Sequence, residues 1–133
     1  DQSYSYGPLS VASNALKLPN GMYLQYPHLR YGSGEFLYDS GRNGITRTHG
    51  PRLVENIVQA LARIVITDQM LAIQNIPGIS VVLTVHDEII ALGSDKNADE
   101  TLATIMAIMK QSPDWCTELP LDAEGAYSKI YNK

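Results

Sequence analysis

Three chemically active side chains stand next to one another in the segment VLTVHDEII: the imidazole of His86 and the carboxylates of Asp87 and Glu88. Short apolar runs rich in β-branched residues flank them, from Val81 to Val85 and from Ile89 to Leu92. The runs are too short to be independent helices, and they favour a tight β-hairpin with the polar triplet at its tip. A carboxylate held on a stiff hairpin tip could bind a metal ion.

The two carboxylates of this tip are not expected to act equivalently, because successive side chains of extended backbone point to opposite faces. Mg²⁺ accepts one or two carboxylates and leaves its other positions to water and substrate phosphates. This chemistry favours Asp87 as the leading ligand, with Glu88 assisting. A three-residue signal is weak, however, and in isolation the same triplet is read more simply as a solvated turn.

The composition indicates one modest domain that folds compactly. The chain has 133 residues, of which 44% are hydrophobic and 18% charged, and this excludes a disordered tail, a collagen-like fibre and a simple coiled coil. No run approaches the roughly 20 apolar residues of a membrane span, so no membrane partner is expected. The single cysteine, Cys116, cannot form an internal disulfide, and a cytoplasmic location is the simpler assumption.

The first part of the chain predicts a small antiparallel meander. Residues 1–18, rich in Ser, Tyr and Asn, are interpreted as a peripheral lead-in without a clear period. A strand is expected to begin near Gly21, where Met22, Leu24 and Tyr26 alternate with other residues. Two further extended runs, at 35–38 and 44–48, are separated by Gly-rich turn segments, which favours antiparallel pairing.

Two helices are predicted in the remainder. Apolar residues recur at three- and four-residue steps from Pro51, a favoured first helical residue, to a turn at 75–78. Asn97 and Glu100 have the spacing of a capping pair for a second helix, which is expected to stop near Pro113. In the final segment, the alternation over Leu119 and Leu121 predicts an edge strand.

Taken together, these segments resemble the C-terminal palm of family A DNA polymerases, with the bacteriophage-type members most similar. The resemblance rests on the VHDE tip, the helix VENIVQALARIV, the upstream LPNGMYLQYPHLRY with Gly50-Pro51-Arg52, and the closing PDWCTELPLDAEGAYSKIY. It covers about residues 18–133. It implies an α+β fold in which an antiparallel palm-like sheet with a motif C hairpin packs against two main helices, so that residues 19–133 are the C-terminal part of a palm domain.

The resemblance implies roles for the hairpin tip in DNA-directed DNA synthesis. Asp87 would be a catalytic metal ligand, Glu88 an accessory carboxylate, and His86 a contact to the primer terminus. Nucleotidyl transfer uses two metal ions about 4 Å apart, and one hairpin aspartate cannot hold both. The cofactor implied is therefore Mg²⁺ at a two-metal site that this chain supplies only in part.

The resemblance also implies contacts to DNA from the first helix. Gln59 would face the minor groove, where a neutral donor can sense correct pairing without reading sequence, and Arg52 would lie near a phosphate. Asn56 is a further DNA-binding candidate, although bacterial relatives carry their polar residue at the position of Glu55. Ile57, Val58 and Leu61 are expected to form the buried stripe beside Gln59.

The family takes its second aspartate from motif A and its nucleotide-binding Lys and Tyr from the fingers, and neither pattern occurs in this chain. The thumb and the proofreading exonuclease are not seen either. The chain, which starts with Asp1, is therefore expected to be cut from something longer and to be inactive alone. The partners expected are primer–template DNA, a deoxynucleoside triphosphate and the polymerase segments that carry motif A, fingers and thumb.

Two other classes of function remain open from the residues. A small metal-dependent phosphoesterase could use Asp87 and Glu88, but it would need further carboxylates or histidines to converge on the tip. A noncatalytic interaction module would explain the missing motif A without a partner segment. Gln59 likewise has a structural alternative, in which its amide satisfies a buried backbone group.

Overall fold

A computed structural model describes residues 4–131 of the chain. The chain divides into two compact units, Asp1–Ile64 and Val65–Lys133, and the division falls within the longest helix. The described strands pair antiparallel in three separate sheets, and two α-helices accompany them. The predicted α+β class with antiparallel sheets and two main helices is confirmed.

The first unit starts with a four-stranded sheet in which each strand pairs with the next along the chain. Its strands are β1 (Ser5–Tyr6), β2 (Leu9–Ala12), β3 (Ala15–Lys17) and β4 (Tyr23–Gln25). The strand expected near Gly21 is thus present as β4. Within the predicted lead-in of residues 1–18, the described part supplies three strands that continue this sheet.

The second sheet of this unit is built from β5 (Arg30–Gly32), β6 (Glu35–Asp39) and β7 (Ile45–Thr48). The antiparallel pairing expected for the runs at 35–38 and 44–48 is confirmed, but the strand expected near Gly21 belongs to the first sheet, and its place in the meander is taken by β5. The turn between β5 and β6 consists of Ser33 and Gly34, with φ values of 54° and 80°. Positive φ at both positions is what a two-residue hairpin turn with the favoured twist requires. A short 3₁₀ turn, Gly41–Asn43, connects β6 to β7.

The long helix α1 runs from Gly50 to Gln74, as the apolar periodicity predicts. Ile64 is buried, and Ile57 and Leu61 are half-buried. The expectation that Val58 belongs to the buried stripe is wrong, because its side chain is 58% exposed. In the part of α1 that belongs to the first unit, the packed face is therefore narrower than the apolar content of the sequence suggests.

By length and apolar composition alone, α1 is comparable to a helix that crosses a bilayer, because a stretch of 18 of its residues has a mean hydropathy of 1.2. Core helices of soluble proteins can have the same length and apolar composition, so these properties are weak support for a membrane span. Arg63 and Asp68 lie in the middle of the helix, where charged side chains in hydrocarbon are costly.

The predicted hairpin follows α1 and belongs to the second unit. Its strands are β8 (Ser80–Val85) and β9 (Glu88–Leu92), with an irregularity in register between Val81 and Leu83. The side-chain oxygen of Gln74, the last residue of α1, accepts a hydrogen bond from the backbone N–H of Val81 at 2.8 Å. Ile73 and Ile79 are buried on either side of the connecting turn. The base of the hairpin is therefore held to the end of the helix.

The second helix, α2, spans Ala98–Lys110 and carries a half-buried stripe of Leu102, Ile105, Met106 and Met109. Asn97 occupies the N-cap position, but its side chain makes no capping hydrogen bond, so the predicted capping pair is not formed. Backbone capping geometry can be present without the side-chain bond that usually accompanies it.

The edge strand predicted over Leu119 and Leu121 is wrong, because no strand follows α2 in the described residues. The tail instead lies against α2 through individual contacts. A Cβ added at Gly125 would lie 3.0 Å from the Met106 sulfur, and the Tyr127 hydroxyl donates to Asp99 Oδ1 at 2.8 Å. Side-chain contacts to a helix, rather than a strand ladder, position this segment.

Candidate functional site

The hairpin tip has a two-residue turn formed by His86 and Asp87, since Val85 pairs directly with Glu88. Glu88, predicted as part of the tip, is thus the first residue of β9. His86 has a φ of 54°, in the left-handed region that non-glycine residues rarely occupy. A non-glycine residue held in this conformation marks a position whose backbone is fixed by its surroundings, here the two paired strands.

Asp87 presents its carboxylate to solvent at this turn. Among residues 4–131, no group of three or more His, Cys, Asp or Glu side chains comes together in a way that could hold a metal ion. Asp87 therefore offers one exposed carboxylate, which fits one ligand position of a hard divalent cation but not a complete site. The structure brings no second aspartate to the tip from the part of the chain it describes.

Glu88 has a different environment from its neighbour. It is half-buried, and its carboxylate accepts a hydrogen bond from the hydroxyl of Tyr131 in the tail. Burial raises the pKa of the Tyr131 hydroxyl, and the bond to Glu88 and its negative charge raise it further. Since one carboxylate is engaged by the tail and the other is exposed, the two acids have different environments. Strand alternation does not account for the difference, because Asp87 lies in the turn and only Glu88 lies in a strand.

Sequence reasoning missed Tyr131. It lies 43 positions after Glu88, in a segment whose only sequence signal, the Leu119–Leu121 alternation, pointed to a strand. No spacing rule links such distant residues. A local signal could not have found this contact.

The predicted DNA-binding residues of α1 lie in the first unit and differ in their exposure. Gln59 is exposed, and its Nε2 donates to the Glu55 carboxylate at 3.3 Å, so its amide does not satisfy a buried backbone group. Asn56 is half-buried and donates to the Tyr26 hydroxyl at 3.2 Å. Gln59 is therefore available at the surface, whereas the amide nitrogen of Asn56 is already used inside the fold.

Arg52 is exposed in the first turn of α1 and lines a cleft of about 460 Å³ in the first unit. His49 and Arg47 also line it. Arg47 is paired with Glu35 at 3.3 Å, and no ion pair involves Arg52 among the described residues. The guanidinium of Arg52 is thus the uncompensated arginine of this cleft.

The predicted site residues are distributed over both units. His86, Asp87 and Glu88 belong to the second unit, and Arg52, Asn56 and Gln59 to the first.

Comparison with known proteins finds a relative that is described as a DNA polymerase. No protein-family model matches the chain, and no solved structure matches it significantly. The chain is 36% identical over 128 residues to a protein described as a DNA polymerase from Bacillus phage SP02, with 89% of this chain covered. It spans only 19% of that polymerase. The similarity supports the prediction of a DNA polymerase segment, since it extends over nearly the whole chain.

Proposed function

We propose that the chain is the C-terminal palm segment of a family A DNA polymerase of the bacteriophage type, and that its β8–β9 hairpin is motif C of that enzyme. The observation that carries the proposal is the tip of this hairpin: an exposed aspartate in a two-residue turn, next to a glutamate that the tail engages. The similarity to a phage DNA polymerase supports the coarser part of the proposal, that the chain is a segment of a DNA polymerase.

In this proposal, Asp87 provides one carboxylate ligand to Mg²⁺ and Glu88 assists it from the start of β9. The bound metal ions would activate the primer 3′-hydroxyl and neutralise charge on the triphosphate and the leaving pyrophosphate. His86, which is exposed beside Asp87, would contact the primer terminus. The remaining metal ligands, and above all a second aspartate, come from other polymerase segments.

The first unit contributes contacts to primer–template DNA. The exposed amide of Gln59 can donate to minor-groove acceptors, which every correct base pair presents. Arg52 has the charge and exposure of a phosphate contact. The engaged amide nitrogen of Asn56 makes it the weakest of the three candidates, with its hydrogen bond to Tyr26 favouring a structural role.

The metal-binding part of the proposal is testable on the chain as it exists, by titrating Mn²⁺ and following the broadening of backbone amide NMR signals. Mn²⁺ has oxygen-ligand preferences similar to those of Mg²⁺, and its unpaired electrons broaden nearby signals even at low occupancy. We expect broadening centred on residues 86–88, and its loss in Asp87→Asn.

Asp95→Asn is the matched control, because Asp95 is also an exposed aspartate of the second unit. This variant should broaden like the unmodified chain. Broadening at the tip that survives Asp87→Asn, or that spreads evenly over all exposed acids, would contradict the assignment of Asp87. That result would make the triplet a solvated turn and favour a noncatalytic interaction module.

A further inference from the structure

The cleft beside Arg52 has an aromatic wall that the motif C assignment does not use. Tyr31 of β5 pairs with Phe36 of β6, and Phe36 pairs with Thr48 of β7. Directly paired residues project from the same face of a sheet, so these three form one row across all three strands. The rings of Tyr31 and Phe36 contact edge to face, with centroids 5.0 Å apart. Tyr31 is 67% exposed and Phe36 is 40% exposed.

Thr48 is the β7 residue of this row, and its hydroxyl is unusual because it is buried and unsatisfied. The residue is 3% exposed and lines the cleft, and its Oγ1 is buried with no hydrogen-bond partner among the described residues. A buried polar atom without a partner costs free energy, and nearly all such atoms in folded proteins find one. No water-sized molecule reaches this oxygen in the free chain, so a bound molecule would satisfy it only if the wall of the cleft moved on binding.

The charge around the cleft favours an anion. Arg52 and His49 line it without an ion-pair partner among residues 4–131, and Glu35 is already neutralised by Arg47. The 25-residue helix α1 starts at the cleft and has no acidic residue in its first turn. N–H groups in a first helical turn lack intrahelical acceptors and, together with the helix dipole, attract negative charge.

We propose that this cleft binds a single strand of nucleic acid, with a backbone phosphate at Arg52 and the start of α1 and an unstacked base against Tyr31. Exposed aromatic rings next to unpaired cations are the combination by which proteins bind single strands without reading sequence. The inference rests on the proposed function only for the choice of DNA as the strand, and it adds Tyr31, Thr48 and His49 to the binding residues.

A phosphate group could also come from a free nucleotide, and the aromatic wall alone does not separate the two sources. The geometry favours the strand, because the exposed ring of Tyr31 lies in the same cleft as the cationic helix start. A strand provides both a phosphate and a neighbouring base at once. A free deoxynucleoside triphosphate would carry more charge than the single unpaired arginine of the cleft can balance.

The test measures fluorescence anisotropy of a labelled single-stranded oligonucleotide of about 12 nucleotides, titrated with the full chain over a salt series. Tyr31→Ala should weaken binding by about 5- to 100-fold, and Tyr31→Phe should restore it. Arg52→Ala should weaken binding and reduce the slope of log affinity against log salt by about 0.7. Arg42→Ala removes an exposed arginine of the same unit outside the cleft and should change neither quantity.

Thr48→Val gives a readout that a purely structural role would not produce. Replacing an unsatisfied buried hydroxyl by a methyl group of the same shape should raise the thermal midpoint of the free chain. If a bound strand satisfies this hydroxyl, the same variant should bind the oligonucleotide more weakly. A gain in stability together with an unchanged affinity would contradict a ligand contact at Thr48.

Three results would overturn the inference. They are an affinity unchanged by Tyr31→Ala and Arg52→Ala, equal binding of a blunt duplex, and displacement of the strand by deoxynucleoside triphosphates at equal phosphate concentration. The result is independent of the motif C proposal, because the cleft residues and the hairpin tip belong to different units. If oligonucleotide binding fails the test while Mn²⁺ binds at Asp87, only the cleft proposal is refuted. If the oligonucleotide binds as expected while Mn²⁺ does not bind at Asp87, only the hairpin assignment is refuted.

Discussion

The exposed amide of Gln59 donates a hydrogen bond to Glu55, one helical turn earlier, at 3.3 Å. In the proposed function, the same amide contacts DNA. A surface pair of this spacing stabilises a helix by only about 0.2–0.5 kcal/mol. The loss of the pair should therefore leave the fold intact. Any large effect of removing the amide must come from something outside the helix.

We expect Gln59→Ala, in a complete polymerase that contains this chain, to weaken primer extension and mismatch discrimination for all sequences alike. The reason is that the amide would probe a minor-groove acceptor present at every correct pair. Extension from matched and mismatched primers measures this effect. Glu55→Ala is the control, because it breaks the same hydrogen bond and keeps the amide.

Extension and fidelity that stay intact in Gln59→Ala, with a lowered melting temperature, would show that the side chain is structural. Equal losses in Gln59→Ala and Glu55→Ala would instead assign the effect to their mutual hydrogen bond. The contact to the minor groove requires that Gln59→Ala be clearly the more damaging of the two.

The sequence predicts the exposed carboxylate of Asp87, but it does not predict which residues lie around the functional side chains. Asp87 could be found because apolar strands on both sides force a polar triplet to the tip. The bond between Glu88 and Tyr131, and the orphan hydroxyl of Thr48, depend on which distant segments meet. The spacing of apolar residues along the chain carries no information about which distant segments come into contact.

The corner between the two sheets of the first unit is stabilised by one carboxylate. Asp39, at the end of β6, accepts from His28 at 2.6 Å and from Arg30 at 3.2 Å. Arg30 also donates to the backbone oxygen of His28 at 2.8 Å, and His28 has a φ of 53°. These contacts fix the segment that connects β4 to β5 against β6.

The bond from His28, followed by the bond from Arg30, holds the pKa of the Asp39 carboxyl below its ordinary value of 3.8. The unfolded chain therefore takes up the proton first as the pH falls. The stabilisation is complete above about pH 3.8 and is lost as the pH falls towards the lower pKa of the folded state.

We expect Asp39→Asn to lower the thermal midpoint at pH 7, with the difference from the unmodified chain shrinking below about pH 3.8. Thermal melts at pH 3 and pH 7 measure this. Glu35→Gln is the control, since the carboxylate of Glu35 pairs with one side chain, Arg47 at 3.3 Å, whereas that of Asp39 accepts from two. A difference for Asp39→Asn that is the same at both pH values would contradict the ionic origin of the effect.

At the element scale, long periodic patterns were more informative than short ones. α1 has apolar residues at helical spacing over many turns, and its observed span agrees with the prediction. The prediction of a strand in the tail rested on only two alternating leucines. Contacts to α2 determine the conformation of this segment instead. The strands β1 to β3 are short and rich in Ser and Ala, so their pairing with one another and with β4 leaves no clear period in the sequence.

For the molecule as a whole, the proposed parts are divided between two units: nucleic-acid contacts in the first and the metal ligand in the second. The described residues contain no group of three metal-binding side chains. The polymerase of phage SP02 is about five times as long as the segment it shares with this chain. The missing ligands are therefore expected from segments outside the aligned region, and the chain alone should not extend a primer.

The most direct test of the central claim compares Asp87→Asn with Glu88→Gln in a complete polymerase that contains this chain. The measurement is the single-turnover rate of nucleotide incorporation, with the dissociation constant for primer–template determined on the same samples. A metal ligand acts mainly on the transition state, so it should affect the rate far more than the affinity for DNA.

We expect Asp87→Asn to lower the rate by about 1,000-fold or more while the dissociation constant changes by less than about threefold. Glu88→Gln, which keeps a hydrogen-bond acceptor for Tyr131, should retain a rate within about tenfold of the unmodified enzyme. Equal losses of rate and affinity in Asp87→Asn, or two variants as active as the unmodified polymerase, would contradict the assignment of this hairpin as motif C.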